Sequence, residues 1–252
     1  MDYLPKPYHT RIWKAIYEHE LLQADDRLLI GLSGGKDSMF AAYAFSAIKS
    51  YSKIPFSLEA VTVDIGFDTP MDSAALEAFC SGLGMGYHYI PTRIAGIIDS
   101  KKDKASPCSV CAYFRRAAMH RFASENGFNK VLLAHHQDDA METFLMNILH
   151  TGRIGTLPWK TDLTRTGVTV IRPLMYLSEH DISRAVRRLS LPVQQSPCPY
   201  SCDSSRARTR QLIRDMCKDN KMVRANLVSA MVANDSMELW PSSGRHYRHE
   251  QN

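Results

Sequence analysis

The sequence predicts a doubly wound α/β fold, a mainly parallel sheet with helices on both faces, and three observations carry that expectation. Short apolar runs that read as buried strands alternate with longer segments that read as helices. The first such run, Leu28-Leu29-Ile30, leads at once into Ser33-Gly34-Gly35-Lys36-Asp37-Ser38 and then a breaker-free helical stretch. The chain has 252 residues, 44% hydrophobic and 23% charged, a mix that suits one continuous core and argues against a disordered or fibrous protein.

From the amino terminus, Arg11 to Leu22 sets Ile12, Ile16, Leu21 and Leu22 at helical spacing. The polar Asp25-Asp26 turn separates this helix from the first strand, and Met39 to Ile48, rich in Ala, Phe and Met, continues as the second helix. Leu58 to Ile65 alternates and is rich in Val, so it reads as a strand; Ser73 to Leu83 reads as a helix and Tyr87 to Pro91 as a short strand. Cys108 to Asn126 is a helix ended by Gly127, Lys130 to Ala134 a strand, and Asp138 to His150 a helix opened by two carboxylates that suit its dipole. Thr169 to Arg172 is a strand stopped by Pro173, and Ser178 caps a helix through Arg188, with Glu179 and Asp181 in its first turn. A parallel sheet of this kind takes its ligand at the carboxyl ends of the strands.

Several classes are excluded. The most apolar stretch, Met39 to Ile48, falls far short of the ~20 residues of a membrane-spanning helix, and Met1 to Arg11 lacks the basic start and apolar core of a signal peptide. A cytoplasmic protein with no membrane partner is expected. The formal charge of +5 permits an anionic partner without demanding one. Between Asp181 and Arg224, however, ten basic side chains stand against four acidic ones, a concentration that suits a polyanion such as RNA, or else a solvated helix face.

Ser33 to Ser38 carries the sharpest local chemistry. A strand, two glycines and a lysine at a helix start gather backbone N–H groups around an anion, with Gly34 and Gly35 permitting close approach. The spacing is neither G-x-x-x-x-G-K nor G-x-G-x-x-G. The cysteines are the second signal. Cys108 and Cys111 form C-x-x-C at a helix start, and Cys198 and Cys202 form C-x-x-x-C farther on. By spacing they suit a redox dithiol, a structural zinc, which ranks first on spacing alone, or an iron–sulfur cluster on three cysteines.

The hexapeptide Ser33-Gly34-Gly35-Lys36-Asp37-Ser38 resembles the pyrophosphatase loop of the N-type ATP pyrophosphatase (PP-loop) superfamily, of adenine nucleotide alpha hydrolase-like fold. The resemblance implies ATP and Mg2+, with Lys36 on the phosphates and Asp37 near the metal. Further motifs follow in order: Cys108-Ser109-Val110-Cys111, Arg115-Arg116, Leu133-Ala134-His135-His136-Gln137-Asp138-Asp139, Ile171-Arg172-Pro173-Leu174 and Pro197-Cys198. Together they are similar to the tRNA 2-thiocytidine synthetase (TtcA) family from about Ile16 to Ile213. That resemblance implies a [4Fe-4S] cluster on Cys108, Cys111 and Cys198, with one iron left without a protein ligand. It also implies adenylation of a tRNA cytidine O2 and its replacement by sulfur, at the family's familiar position 32, with a sulfur donor system such as a cysteine desulfurase. It leaves a homodimer open. The chain departs from the family in its extra residue between Cys198 and Cys202, which makes either the candidate third ligand, and in Ala134, where glycine is common.

Asp139 is expected near ATP or Mg2+, a hard cation that takes carboxylate oxygen, with helix capping as its simpler role. Asp64 at its strand end is a candidate for the nucleotide or a turn, and Ala134 and His135 are candidate nucleotide contacts. Arg115, four residues after Cys111 and on the same helix face, is a candidate for RNA or the activated intermediate. The expected organisation is a helical extension over 1–23, the PP-loop catalytic domain over 24–215, and a helix through about Val232 with a polar tail over 216–252. Two rivals use the same loop. One is another tRNA-modifying PP-loop enzyme, lysidine-synthetase-type or thiouridine-forming; the other is a nucleotide-binding domain with structural zinc.

Overall fold

The computed structural model describes residues 4–69, 71–101, 106–195, 197–200 and 205–232. Cys202, the alternative third ligand, and residues 233–252 of the expected tail lie outside them. In chain order the elements are α1 (Lys6–Glu18), β1 (Asp26–Gly31), α2 (Lys36–Tyr51), β2 (Phe56–Asp64), α3 (Ser73–Gly82), β3 (Gly86–Pro91), α4 (Ile94–Lys101) and α5 (Pro107–Glu125). They continue with β4 (Lys130–Leu132), α6 (Gln137–Thr151), β5 (Lys160–Leu163), β6 (Val168–Ile171), α7 (Glu179–Arg188), α8 (Ser205–Asp219) and α9 (Val223–Ala230).

The strands form one sheet in the order β3-β2-β1-β4-β6-β5, parallel throughout except for β5, which runs antiparallel to β6. The chain lays β2 and β3 to one side of β1 and then crosses to place β4 on the other, so the order reverses between β1 and β4. A ligand crevice opens at such a reversal because the connections leave the strand ends in opposite directions. Along β1 the side chains alternate: Leu28 and Ile30 enter one core with Phe40 and Phe45 of α2, and Leu29 enters the other with Met119 and Ala123 of α5. Helices α1, α2 and α7 cover the first face, and α4 and α5 the second.

The doubly wound, mainly parallel sheet is as expected, and the differences have local causes. β4 ends at Leu132, two residues before the apolar run does, because Leu133 and Ala134 turn to line a cavity. β5 has the polar sequence Lys-Thr-Asp-Leu and becomes a strand by pairing with β6 across a turn in which Gly167 takes φ +66°. α8 buries only Thr209 and Ile213 and is fastened instead by ion pairs to α6. α1 packs Tyr8, Ile12, Ala15 and Ile16 into the α2 core, and its Arg11 reaches Asp181 of α7 at 2.6 Å.

Candidate active site

The phosphate loop leaves β1 at the sheet's reversal point. Gly34 takes φ +73°, and a Cβ there would stand 3.2 Å from Gln194 Cβ, so both backbone and space call for glycine. Ser33 N–H donates to Ser38 Oγ at 3.1 Å, and Ser38 Oγ donates to the Gly35 carbonyl at 3.0 Å, folding the loop back over the first turn of α2. The unpaired N–H groups of that turn face the loop's concavity with the positive end of the helix dipole. Gln194 ties a distant segment to this loop: its N–H donates to the Gly34 carbonyl at 2.9 Å, and its side chain donates to the Asp72 carbonyl at 2.8 Å.

Beyond the loop lies a cavity of about 380 Å³ at the carboxyl ends of β1, β2 and β4. It gathers most of the sequence-predicted residues: Ser33, Asp37, Ser38, Asp64, Cys111, Arg115, Ala134, His135, Asp139 and Cys198 all line it. Gly34, Gly35, Lys36 and Cys108 stand outside its lining. Lys36 Nζ sits 3.1 Å from Asp37 and 3.2 Å from Glu179, a partner the sequence did not single out. Val61, Val63, Ile65, Phe67 and Met71 give the cavity an apolar wall.

Cys108 and Cys111 occupy the first turn of α5, opened by Pro107, with Cys108 exposed and Cys111 and Cys198 half-buried. Burial pushes the Cys111 thiol up; Arg115 opposes this, while Cys198 and Cys108 add to it, so the three sulfurs lie within electrostatic reach of one another. Among the described residues, no three His, Cys, Asp or Glu groups close on a single ion.

The acidic side is dense. Asp139 both caps α6, accepting the His136 N–H at 3.0 Å, and lines the cavity. Its carboxyl lies below the ordinary range: burial would raise it, but His136, His135 and Arg206 outweigh burial. The buried His136 ring stands with Nε2 3.6 Å from Asp37 and 3.4 Å from Asp139. Asp37 Oδ1 is buried without a hydrogen-bond partner. Burial holds His135 down at about 4, so its ring is neutral at neutral pH. Asp64 accepts the Gly66 N–H at 3.0 Å and the Tyr89 hydroxyl, which it pushes up to about 12.

The basic stretch from Asp181 to Arg224 is less free than its composition implies. Arg206 reaches Asp139 at 3.4 Å, Arg210 reaches Glu142 at 2.6 Å, Arg214 reaches Glu179 at 3.9 Å, and Arg224 pairs with Asp138. Much of its charge is thus met by carboxylates of α6 and α7.

The PP-loop domain family matches residues 6–217 of the chain. The chain belongs to the PP-loop family. Within it, the chain is 30% identical over 223 residues to the tRNA-cytidine(32) 2-sulfurtransferase of Geobacter metallireducens, covering 87% of this chain and 86% of that one. It is 32% identical over 226 residues to the enzyme of the same name from Citrifermentans bemidjiense, covering 88% of each. These relatives bear out the resemblance to the 2-thiocytidine synthetases and make this PP-loop protein a member of their family. Among solved structures, the U34-tRNA thiolase NcsA from Methanococcus maripaludis, described with its [4Fe-4S] cluster, superposes with TM-score 0.69 at 24% identity, covering 88% of this chain and 76% of that one. NAD+ synthetase from Burkholderia pseudomallei superposes with TM-score 0.51 at 13% identity, covering 88% and 85%. Both share the fold. Among the described residues, no helix is long and apolar enough to cross a membrane.

Proposed function

We propose that this PP-loop protein uses ATP to replace the O2 of a tRNA cytidine with sulfur, the cytidine at position 32 being the one for which its relatives are named. The observation that carries the reading is the meeting of two chemistries in one cavity: the phosphate loop after β1 on one wall, and the Cys111 and Cys198 thiols on another. A lysidine-type enzyme would need the first and has no use for the second.

The loop N–H groups and the start of α2 receive the β- and γ-phosphates, and Lys36 moves from Asp37 and Glu179 onto them. The apolar wall of Val63, Ile65, Phe67 and Met71 takes the adenine. Attack of the cytidine O2 on the α-phosphorus joins the base to AMP and releases pyrophosphate, making the oxygen a leaving group. Asp37, with its buried unpartnered oxygen, and Asp139 fit Mg2+, which binds through one or two carboxylates plus phosphates and would offset charge on the departing pyrophosphate. Neutral His135 lines the site without adding charge, and Arg115 favours the thiolate of Cys111. Two thiols on the cavity wall, Cys111 and Cys198, with the exposed Cys108 within electrostatic reach of Cys111, suit a [4Fe-4S] cluster on Cys108, Cys111 and Cys198, which when bound would supply the site for the incoming sulfide. The sulfur comes from a donor system such as a cysteine desulfurase, in the cytoplasm.

The test is anaerobic reconstitution followed by nucleoside mass spectrometry of tRNA. The wild type is expected to hold about four irons and four sulfides and to form 2-thiocytidine. Cys108→Ala is expected to lose both while still binding ATP. Full thiolation by an iron-free variant refutes the reading. One zinc without sulfide favours the structural-zinc alternative, and pyrophosphate release with tRNA but no thiolation favours the lysidine-type one.

A further inference from the structure

Arg115 and Arg116 are neighbours on α5 but act on different surroundings. The charge of Arg115 falls on the Cys111 thiol. Arg116, turned about 100° around the helix, lines the same cavity but faces another group: its charge falls on Arg172 and on His120, one turn farther along its own face. Arg172, at the end of β6, is nine-tenths buried. One of its terminal nitrogens donates to the Pro158 carbonyl at 2.8 Å and lies 3.3 Å from the Thr161 hydroxyl, but its Nε is buried without a hydrogen-bond partner. The buried Nε2 of His120 also lacks one.

Among the described residues, no carboxylate lies within ion-pair distance of Arg116 or Arg172, in contrast to Arg206, Arg210, Arg214 and Arg224, each of which has one. Like charges left together beside an unused buried donor, the Arg172 Nε–H, are unfavourable unless an anion offsets them. The ATP phosphates already have the glycine loop and Lys36. The α5 wall beside Cys111 is where a nucleotide to be thiolated must enter, and a nucleotide in RNA brings its own phosphodiester.

We propose that Arg116, with Arg172 behind it and His120 beside it, forms a phosphate subsite that holds one backbone phosphodiester of the RNA substrate next to the nucleotide entering the cavity. Arg116 donates to the phosphate directly, and Arg172 is a positioning residue that adds its field from behind. The inference rests on the proposed thiolation of tRNA and deepens it, naming where the RNA backbone is gripped.

The experiment measures the tRNA Kd of the full chain across a salt series, and the ATP Kd separately, for wild type, Arg116→Gln and Arg116→Lys. Arg116 is exposed, so both variants retain the fold. Arg116→Gln is expected to weaken tRNA binding by about tenfold and to reduce the slope of log Kd against log salt by about one, leaving ATP binding unchanged. Arg116→Lys is expected to keep the slope and lose part of the affinity. A wild type that thiolates tRNA, paired with an Arg116→Gln variant of unchanged slope, overturns the subsite alone. Weakened ATP binding with intact tRNA binding also overturns it and assigns the anion to the nucleotide. A wild type without affinity for tRNA overturns both the subsite and the thiolation reading.

Discussion

Glu142→Gln isolates what fastens the basic helix α8 to the rest of the molecule. The Glu142 side chain is only 1% exposed and accepts from Arg210 Nε at 2.6 Å and Nη2 at 3.4 Å, with Arg206 Nε at 3.7 Å. Breaking a buried pair by removing one partner costs about 3–5 kcal/mol, but here the arginines are more than a third exposed and water takes up part of their loss. Burial also holds the Glu142 carboxyl above its ordinary range in spite of Arg210, which places the pair at the low end. A cost of about 2 kcal/mol follows for the isosteric change, falling on a helix whose buried contacts are Thr209 and Ile213. Since 1.4 kcal/mol is a factor of ten, local opening of α8 should rise about thirtyfold. Hydrogen exchange read by mass spectrometry is expected to speed up by that factor in peptides over 205–219 and to stay unchanged over 36–51. Unchanged exchange in α8, or equal acceleration in α2, refutes the reasoning.

Two further outcomes follow from the loop and from α7. Gly34→Ala forces a left-handed residue to carry a Cβ, at about 1–2 kcal/mol, and presses it against Gln194, so calorimetry should show ATP binding weakened about tenfold or more; wild-type affinity would contradict the loop's role. Asp181→Asn should lower stability at pH 7 by about 1–2 kcal/mol, through weakening of the carboxylate's bonds to Ser178 at the start of α7 and loss of the Arg11 pair. Burial pushes the Asp181 carboxyl up, but Arg11 and Ser178 overcome it and hold it far below the ordinary carboxylate range. Its contribution is therefore complete above the unfolded value near about 4 and fades as pH falls through the folded one. Urea midpoints of variant and wild type should converge in acid, and an equal gap at pH 7 and pH 3 would contradict this sign.

The phosphate loop and the doubly wound sheet were legible because both are local: strand periodicity, two glycines and a helix start suffice to specify them. The convergence of Cys111 with Cys198 is legible only through a family's order of motifs, since no local pattern says which loops meet, whereas Asp139 beside the phosphate loop follows from parallel strands ending together. α8 and β5 were missed for a shared reason. Each is polar by itself and gains its structure from a partner, α8 from Glu142 and Asp139, β5 from the ladder with β6. The basic stretch from Asp181 to Arg224 misled in degree, because the carboxylates that meet much of its charge lie elsewhere in the sequence. Arg116 belongs to the Arg115-Arg116 motif, yet its separate surroundings are invisible in the sequence, since Arg172 enters from a different strand.

The bond between Gln194 and Gly34 gives the molecule a fixed tether. Cys198 follows Gln194 by four residues, so its Cα lies no more than about 14 Å from the point where the chain is pinned to the phosphate loop. Nucleotide grip and thiol therefore share one short leash. Cys198 therefore cannot stand farther than that from the loop while the Gln194–Gly34 bond holds, and residues inserted between 194 and 198 would lengthen the limit.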